Sequence, residues 1–300
     1  MSANAGRAAV ALNAKASASF DAKLAASSAL LQQAVADIGA TQLTQASSLG
    51  AEDVVITHLI NRLALGIPVF VLDTGKLHAE TLQLLEQTKQ TSLAPVIVFY
   101  PKSDAVTDFT DREGETPMYK SIALRKACCE LRKMEPLARA LAGKKAWITG
   151  LRREQSGARA DVPLIDTGDT SDNSRVKLNP LADWTWGDVW HYIQQHEVAY
   201  NPLHDQFYPS IGCAPCTRAI SQGEDFRAGR WWWESSELKE CGLHVRSQTG
   251  ASTSSAAWAN ADFAPGEVKA SPEAGCSQSS ELKECGLHVK TTNETQGLAA

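Results

Sequence analysis

Thr41-Gln-Leu-Thr-Gln-Ala-Ser-Ser-Leu-Gly50 decides the fold, because an alternating, strand-like run breaks there into a short polar turn ending in glycine. A helical pattern follows at once, from Glu52 to Leu65, with Val55, Leu59 and Leu63 on one face. Pro68-Val-Phe-Val-Leu-Asp73 is then a short apolar run of the kind that lies buried in a parallel sheet. It ends in Thr74-Gly75, and a second amphipathic stretch begins near Leu77. Pro95-Val-Ile-Val-Phe-Tyr100 predicts a third strand and Lys145-Ala-Trp-Ile-Thr149 a fourth. Strands alternating with helices of this length predict an α/β protein built on a doubly wound parallel sheet. Ligands of such sheets sit outside the carboxyl ends of the strands. Three polar, glycine-bearing segments fall there: Ser47–Gly50, Asp73–Gly75 and Gly150–Arg159.

Working outward, the 300 residues allow one large α/β domain or two modest ones, with a core that needs no covalent staples. The formal charge of −5 argues against nucleic acid as the main partner, which would need a basic surface. It does not exclude a small anion, since a few local arginines hold one on an acidic protein. No apolar run approaches the roughly 20 residues that a membrane span requires. Met1 to Leu31 is rich in Ala and Ser and reads as a frayed leader helix. No secretory segment is seen, so the seven cysteines are expected in a reducing cytoplasm, where metal or redox chemistry outweighs disulfides.

Four of those cysteines form two pairs, Cys128-Cys129 and Cys213-Ala-Pro-Cys216. The second is a CxxC on a tight turn, which points two thiolates at one centre. An adjacent pair is awkward for a single ion, because neighbouring side chains diverge on a helix. An iron–sulfur cluster offers each thiolate a separate corner. Zinc, and plain structural thiols, stay open on the spacing alone. A fifth cysteine, Cys241, lies in Lys239-Glu-Cys-Gly-Leu-His244 with Arg246 nearby. Positive neighbours favour its thiolate, Glu237 and Glu240 oppose it, and a surface thiol on a loose tail is the plain alternative.

The eleven residues Ser235 to Val245 recur unchanged as Ser279 to Val289, on either side of a Ser-, Ala-, Thr-, Gly- and Pro-rich linker. We read this as local duplication of a tail peptide. Lys126, Arg132 and Lys133 flank the first cysteine pair; Arg152, Arg153 and Arg159 follow the fourth strand; Arg227 and Arg230 precede Trp231-Trp-Trp233. Most such charges are solvated helix faces, but arginines in loops at strand ends can fork onto phosphate or sulfate oxygens. The tryptophans are expected to pack the root of the tail rather than to stack on a base.

Taken in order, Ser47-Ser-Leu-Gly-Ala-Glu-Asp53, Leu72-Asp-Thr-Gly-Lys-Leu-His78, Cys128-Cys-Glu-Leu-Arg-Lys-Met-Glu-Pro-Leu137 and Gly150-Leu-Arg-Arg-Glu-Gln-Ser156 continue into Tyr200-Asn-Pro-Leu203, Ile211-Gly-Cys-Ala-Pro-Cys-Thr217, Gly229-Arg-Trp-Trp-Trp-Glu234 and Glu240-Cys-Gly-Leu-His244. The set resembles the adenylyl-sulfate and phosphoadenylyl-sulfate reductases, whose fold is of the adenine-nucleotide α-hydrolase-like type. The resemblance implies a [4Fe-4S] cluster on Cys128, Cys129, Cys213 and Cys216, and a nucleophilic Cys241 aided by His244 and Lys133. It implies nucleotide binding by Ser47, Ser48, Gly50, Asp53, Asp73, Thr74 and Gly75, and a phosphosulfate clamp of Lys133, Arg159, Arg227 and Arg230. The implied partners are adenylyl sulfate and thioredoxin, or glutaredoxin, as a separate reductant; neither nucleic acid nor a membrane is expected, and a homo-oligomer is. The expected organisation is a partly ordered leader over 1–30, a reductase domain over 31–234, a catalytic tail over 235–246, a flexible linker over 247–278 and the duplicate over 279–300. The alternatives are a phosphoadenylyl-sulfate reductase and a tRNA-thiolation-type ATP pyrophosphatase. The latter is disfavoured because the loop lacks a Ser-Gly-Gly-x-Asp-Ser pattern.

Overall fold

A computed structural model describes residues 8–167 and 175–234. The expected alternation is present. Strand β1 (Leu43–Ser47) leads through the Ser48–Gly50 loop into helix α3 (Ala51–Arg62), then β2 (Val69–Leu72), α4 (Ala79–Thr91) and β3 (Val96–Phe99). Helices α5 (Ser103–Glu113), α6 (Ile122–Cys129) and α7 (Glu135–Ala140) follow, and β4 (Ala146–Ile148) returns to the sheet. Among the elements that escaped the sequence reading are the short strands β5 (Ile165–Asp166) and β6 (Val176–Leu178), and helix α8 (Trp186–Gln195).

The strand order is β3-β2-β1-β4-β6-β5, parallel throughout except for the two-residue edge strand β5. The chain winds outward from β1 to β3 and resumes on the other side of β1 with β4, so the winding reverses between β1 and β4. That reversal opens a crevice at the strand ends. Side chains alternate across the sheet as the pleat demands. Phe70 and Trp147 pack with Leu137, Ala140 and Leu141 of the α7 region on one face. Val71, Ala146, Ile148 and Leu178 pack into the larger core on the other, with residues of α3, of α8 and of the N-terminal segment. Val55 and Leu59 of α3 are fully buried there, but the helix ends at Arg62 and Leu63 is its C-cap, a shorter span than the pattern predicts.

The N-terminal boundary needs correction. Residue 30 falls inside a continuous helix, α2 (Phe20–Ile38), which follows the short α1 (Ala8–Asn13). Phe20, Leu30 and Leu31 are buried in the main core. Ser27 Oγ donates to the Pro180 carbonyl at 2.6 Å and accepts from Trp184 Nε1 at 2.9 Å. Lys23 reaches the buried Asp188 carboxylate at 2.8 Å, where Ser17 N–H also donates. The segment is a structural part of the domain. No helix among the described residues is long and apolar enough to cross a membrane.

Candidate active site

The turn after β1 is built to present backbone. Leu49 has φ +61°, uncommon for a branched residue, and is held there by its own burial and by donating its N–H to Ser47 Oγ at 3.2 Å. Gly50 caps α3 in extended conformation with no side-chain cap, so the helix's first N–H groups and its positive end are left for an anion. Asp53 locks the loop from beneath. Its carboxylate accepts from Ser48 N–H at 2.6 Å and Ser48 Oγ at 2.7 Å, and also from Gly150 N–H in the loop after β4. Burial pushes the Asp53 carboxyl up to about 6, against the pull of the Ser48 bonds. A Cβ on Gly150 would lie 2.5 Å from Asp53 Oδ1 and 2.8 Å from Glu52 Cβ, so only glycine lets the two loops close.

Between the carboxyl ends of β1, β2 and β4 lies a cavity of about 210 Å³. Ser47, Ser48, Gly50 and Asp53 line it from the turn, as expected. All four expected clamp residues, Lys133, Arg159, Arg227 and Arg230, line it as well. Arg159 is buried, with NH1 donating to Gln155 Oε1 at 2.6 Å. Arg230 is also buried; NH1 donates to the Ile211 carbonyl at 3.0 Å, while Nε has no partner among the described residues. Gly212 makes room for that guanidinium, since a Cβ there would sit 2.4 Å from NH2.

Asp73, Thr74 and Gly75, also expected on the nucleotide, do not line this cavity. Thr74 is fully buried, its Oγ1 lies 3.2 Å from Cys213 Sγ, and its carbonyl accepts from Arg132 NH1 at 2.8 Å. Gly75 has φ +70°, and a Cβ there would meet Arg132 NH1 at 3.4 Å. Asp73 accepts from Gly75 N–H at 2.9 Å and so tightens the turn. This loop braces the cysteines instead.

The two cysteine pairs come from the end of α6 and from a single 3₁₀ turn, Ala214–Cys216. Immediately after Cys129 the chain switches to π-helix over Glu130–Met134, a widening common at functional sites. Cys128 and Cys216 are buried with Cys213 against Phe109, Met118 and Trp231. Burial pushes the Cys216 thiol up to about 12, and the neighbouring Cys213 and Cys129 add to it while Arg230 and Lys133 oppose it. Burial likewise raises Cys128, with Arg132 pulling the other way and Cys213 adding to the rise. Four thiols gathered beside Arg132, Arg230 and Lys133 have the donor chemistry of a site that binds iron as thiolates. Among the described residues no three His, Cys, Asp or Glu side chains close on a single point that could hold one metal ion. Lys133 lies between the two regions: it lines the cavity and also acts on Cys216.

Sequence reasoning missed a buried chain of polar groups beside the cavity. Arg152 Nε donates to Glu52 Oε1 at 2.9 Å, and Gln155 Nε2 donates to the same oxygen at 3.0 Å. Burial would raise the Glu52 carboxyl, but the Arg152 guanidinium and the Gln155 bond hold it below the usual range. Gln155 in turn carries Arg159. The signal was the crowding of polar residues in the Gly150–Gln155 loop. Arg153, by contrast, is a surface residue paired with Asp183. Cys241 and His244 lie outside the described residues, as do the linker and the duplicated peptide. Glu234, the last residue before them, is buried.

The phosphoadenosine phosphosulfate reductase domain model matches residues 42–219. Adenosine 5'-phosphosulfate reductase of Allochromatium vinosum is 54% identical over 201 residues, covering 67% of this chain and 78% of that one. The enzyme of the same name from Burkholderia cepacia is 50% identical over 206 residues, covering 68% and 81%. Among solved structures, a phosphoadenylyl-sulfate reductase from Candida auris in complex with phosphate superposes with TM-score 0.55 at 25% identity, covering 67% of this chain and 97% of that one. On the family match and these identities, the chain belongs to the phosphoadenosine phosphosulfate reductase family.

Proposed function

We propose that this protein reduces adenylyl sulfate to sulfite and AMP in sulfate assimilation, with Cys241 as the nucleophile. The observation that carries the reading is one cavity at the switch point of the sheet, lined by an open helix N-terminus and by Lys133, Arg159, Arg227 and Arg230. A thiolate must approach a sulfuryl centre ringed by negative oxygens, and these cations offset that repulsion. Each preorganised contact of this kind is worth ~3 kcal/mol, or roughly a hundredfold in rate. The Ser47–Gly50 turn and the α3 N-terminus suit the nucleotide's phosphate.

In the reaction so assigned, the Cys241 sulfur bonds to the sulfate sulfur, and the S–O bond to the adenylate phosphate breaks. AMP leaves with the bonding pair, and the enzyme holds an S-sulfocysteine. An external dithiol, which we assign to thioredoxin or glutaredoxin, attacks the Cys241 sulfur. Sulfite departs with its electron pair, and the reductant's second thiol closes its own disulfide. His244 is assigned to orient the transferred group.

Cys128, Cys129, Cys213 and Cys216 are assigned as ligands of a [4Fe-4S] cluster. When bound, that group supplies a local field beside Lys133, since the thiols supply both electrons. The reading includes a cytoplasmic homo-oligomer that meets its reductant as a separate protein.

The test is turnover of purified protein with thioredoxin on adenylyl sulfate and on its 3′-phosphorylated form. Preference for the former, with sulfite formation abolished by Cys241→Ser, is expected. Preference for the phosphorylated nucleotide contradicts the substrate assignment. A fully active Cys241→Ser contradicts the mechanism.

A further inference from the structure

One buried ion pair has no part in the chemistry above. Arg125 leaves α6 a turn before Cys129 and forks onto Glu234, with Nε–Oε1 at 2.9 Å and NH2–Oε2 at 2.8 Å. Both side chains are 1% exposed. The same guanidinium hydrogen-bonds the Cys129 sulfur. It also lies 4.7 Å from the centre of the Trp231 ring, and Arg230 of the cavity lies 4.8 Å from that ring.

Taking two charges out of water is so costly that a well-packed apolar pair of similar volume stabilises a fold as well or better. A pair retained at this depth therefore contributes something that packing does not. A guanidinium has five N–H donors in a rigid fork, and Glu234 takes two of them. The carboxylate fixes the plane of the fork, and the same guanidinium reaches the Cys129 sulfur and lies over the tryptophan ring.

We propose that Arg125, held by Glu234, is a positioning residue for the four-cysteine site. It donates to the Cys129 sulfur, fixes the direction of that ligand and draws off part of its electron density. Groups that hold a metal's ligands in this way change affinity or activity by roughly ten- to a hundredfold when removed. The proposal rests on the reading of the four cysteines as cluster ligands, and the experiment separates the two.

The test uses the holoenzyme and the double variant Arg125→Met with Glu234→Met, which replaces the pair by apolar groups and leaves no charge orphaned. Arg125→Lys, which keeps the charge and loses the fork, is measured beside it. The readouts are melting temperature, iron per chain, the resonance Raman bands of the iron–cysteine bonds, and kcat apart from KM. The double variant is expected to fold, with its iron–cysteine bands shifted and kcat lowered about tenfold while KM for adenylyl sulfate holds. Arg125→Lys is expected to fall between it and the parent. Loss of iron at an unchanged melting temperature supports the proposal equally. A folded, iron-loaded double variant with parental bands and kcat overturns it and leaves the cluster reading standing. A double variant that fails to fold also overturns it, because the pair is then a stability element. A parent protein that carries zinc or no metal sinks the cluster reading and this proposal together.

Discussion

At the scale of single residues, the site depends on two neighbouring carboxylates pushed in opposite directions. Glu52 is held ionised by Arg152, whereas burial, aided by the Glu52 charge, pushes Asp53 up to about 6 against its hydrogen bonds. A carboxyl raised on folding stabilises the fold fully below its ordinary value of 3.8 and loses that contribution as pH rises through about 6. Across that window the loss is about 3 kcal/mol. Asp53→Asn has no such slope, so urea unfolding should show the parent's stability relative to the variant falling by about that much between pH 4 and 7. A constant difference would place the Asp53 carboxyl near its unfolded value. Gly150→Ala forces the same two loops apart, and overpacking of this kind typically costs about 1–3 kcal/mol. We expect substrate affinity to fall with it, measured by calorimetry on AMP. Arg230→Met should lower kcat/KM by at least roughly a hundredfold with the melting temperature little changed. Much of this site was legible in the sequence, because arginines and glycines in strand-end loops have few other uses. Arg152 and Arg125 were not, since nothing in a linear sequence separates a buried, paired arginine from a solvated one.

At the scale of elements, strands β1 to β4 and the turn after β1 followed from apolar runs and glycine positions, with ends displaced by a residue or two. The N-terminal helix did not. Its many Ala and Ser residues give α2 a weak apolar stripe, and its role appears only where Phe20 meets Trp184 and His191 of α8 and Leu31 is buried in the core. Leu31→Ala should therefore cost about 2–5 kcal/mol, as for other fully buried leucines, and a chain begun at residue 31 should fail to fold. A native melting transition in that truncation would contradict the packing described. The contact of the Asp73–Gly75 loop with the cysteines was hidden for a related reason. Strand-end position alone does not show that Thr74 reaches Cys213. The π-turn after Cys129 has no sequence pattern of its own.

At the scale of the whole molecule, a rigid α/β frame brings an anion site and a thiol-rich site together across Lys133, and the chain continues from a buried Glu234 toward Cys241. The duplicated Ser279–Val289 peptide repeats that cysteine as Cys285 beyond the linker. We expect a chain ended after Arg246 to retain parental sulfite formation, and a loss of turnover there would assign the work to the copy. The most direct measurement of the central claim uses the parent protein, adenylyl sulfate and no reductant, followed by trypsin and mass spectrometry. The two copies are distinguishable, because one peptide ends Cys-Gly-Leu-His-Val-Arg246 and the other Cys-Gly-Leu-His-Val-Lys290. A sulfonate on the peptide ending at Arg246 is the predicted result. A sulfonate only on the peptide ending at Lys290, or sulfite released with neither peptide ever modified, would contradict the account.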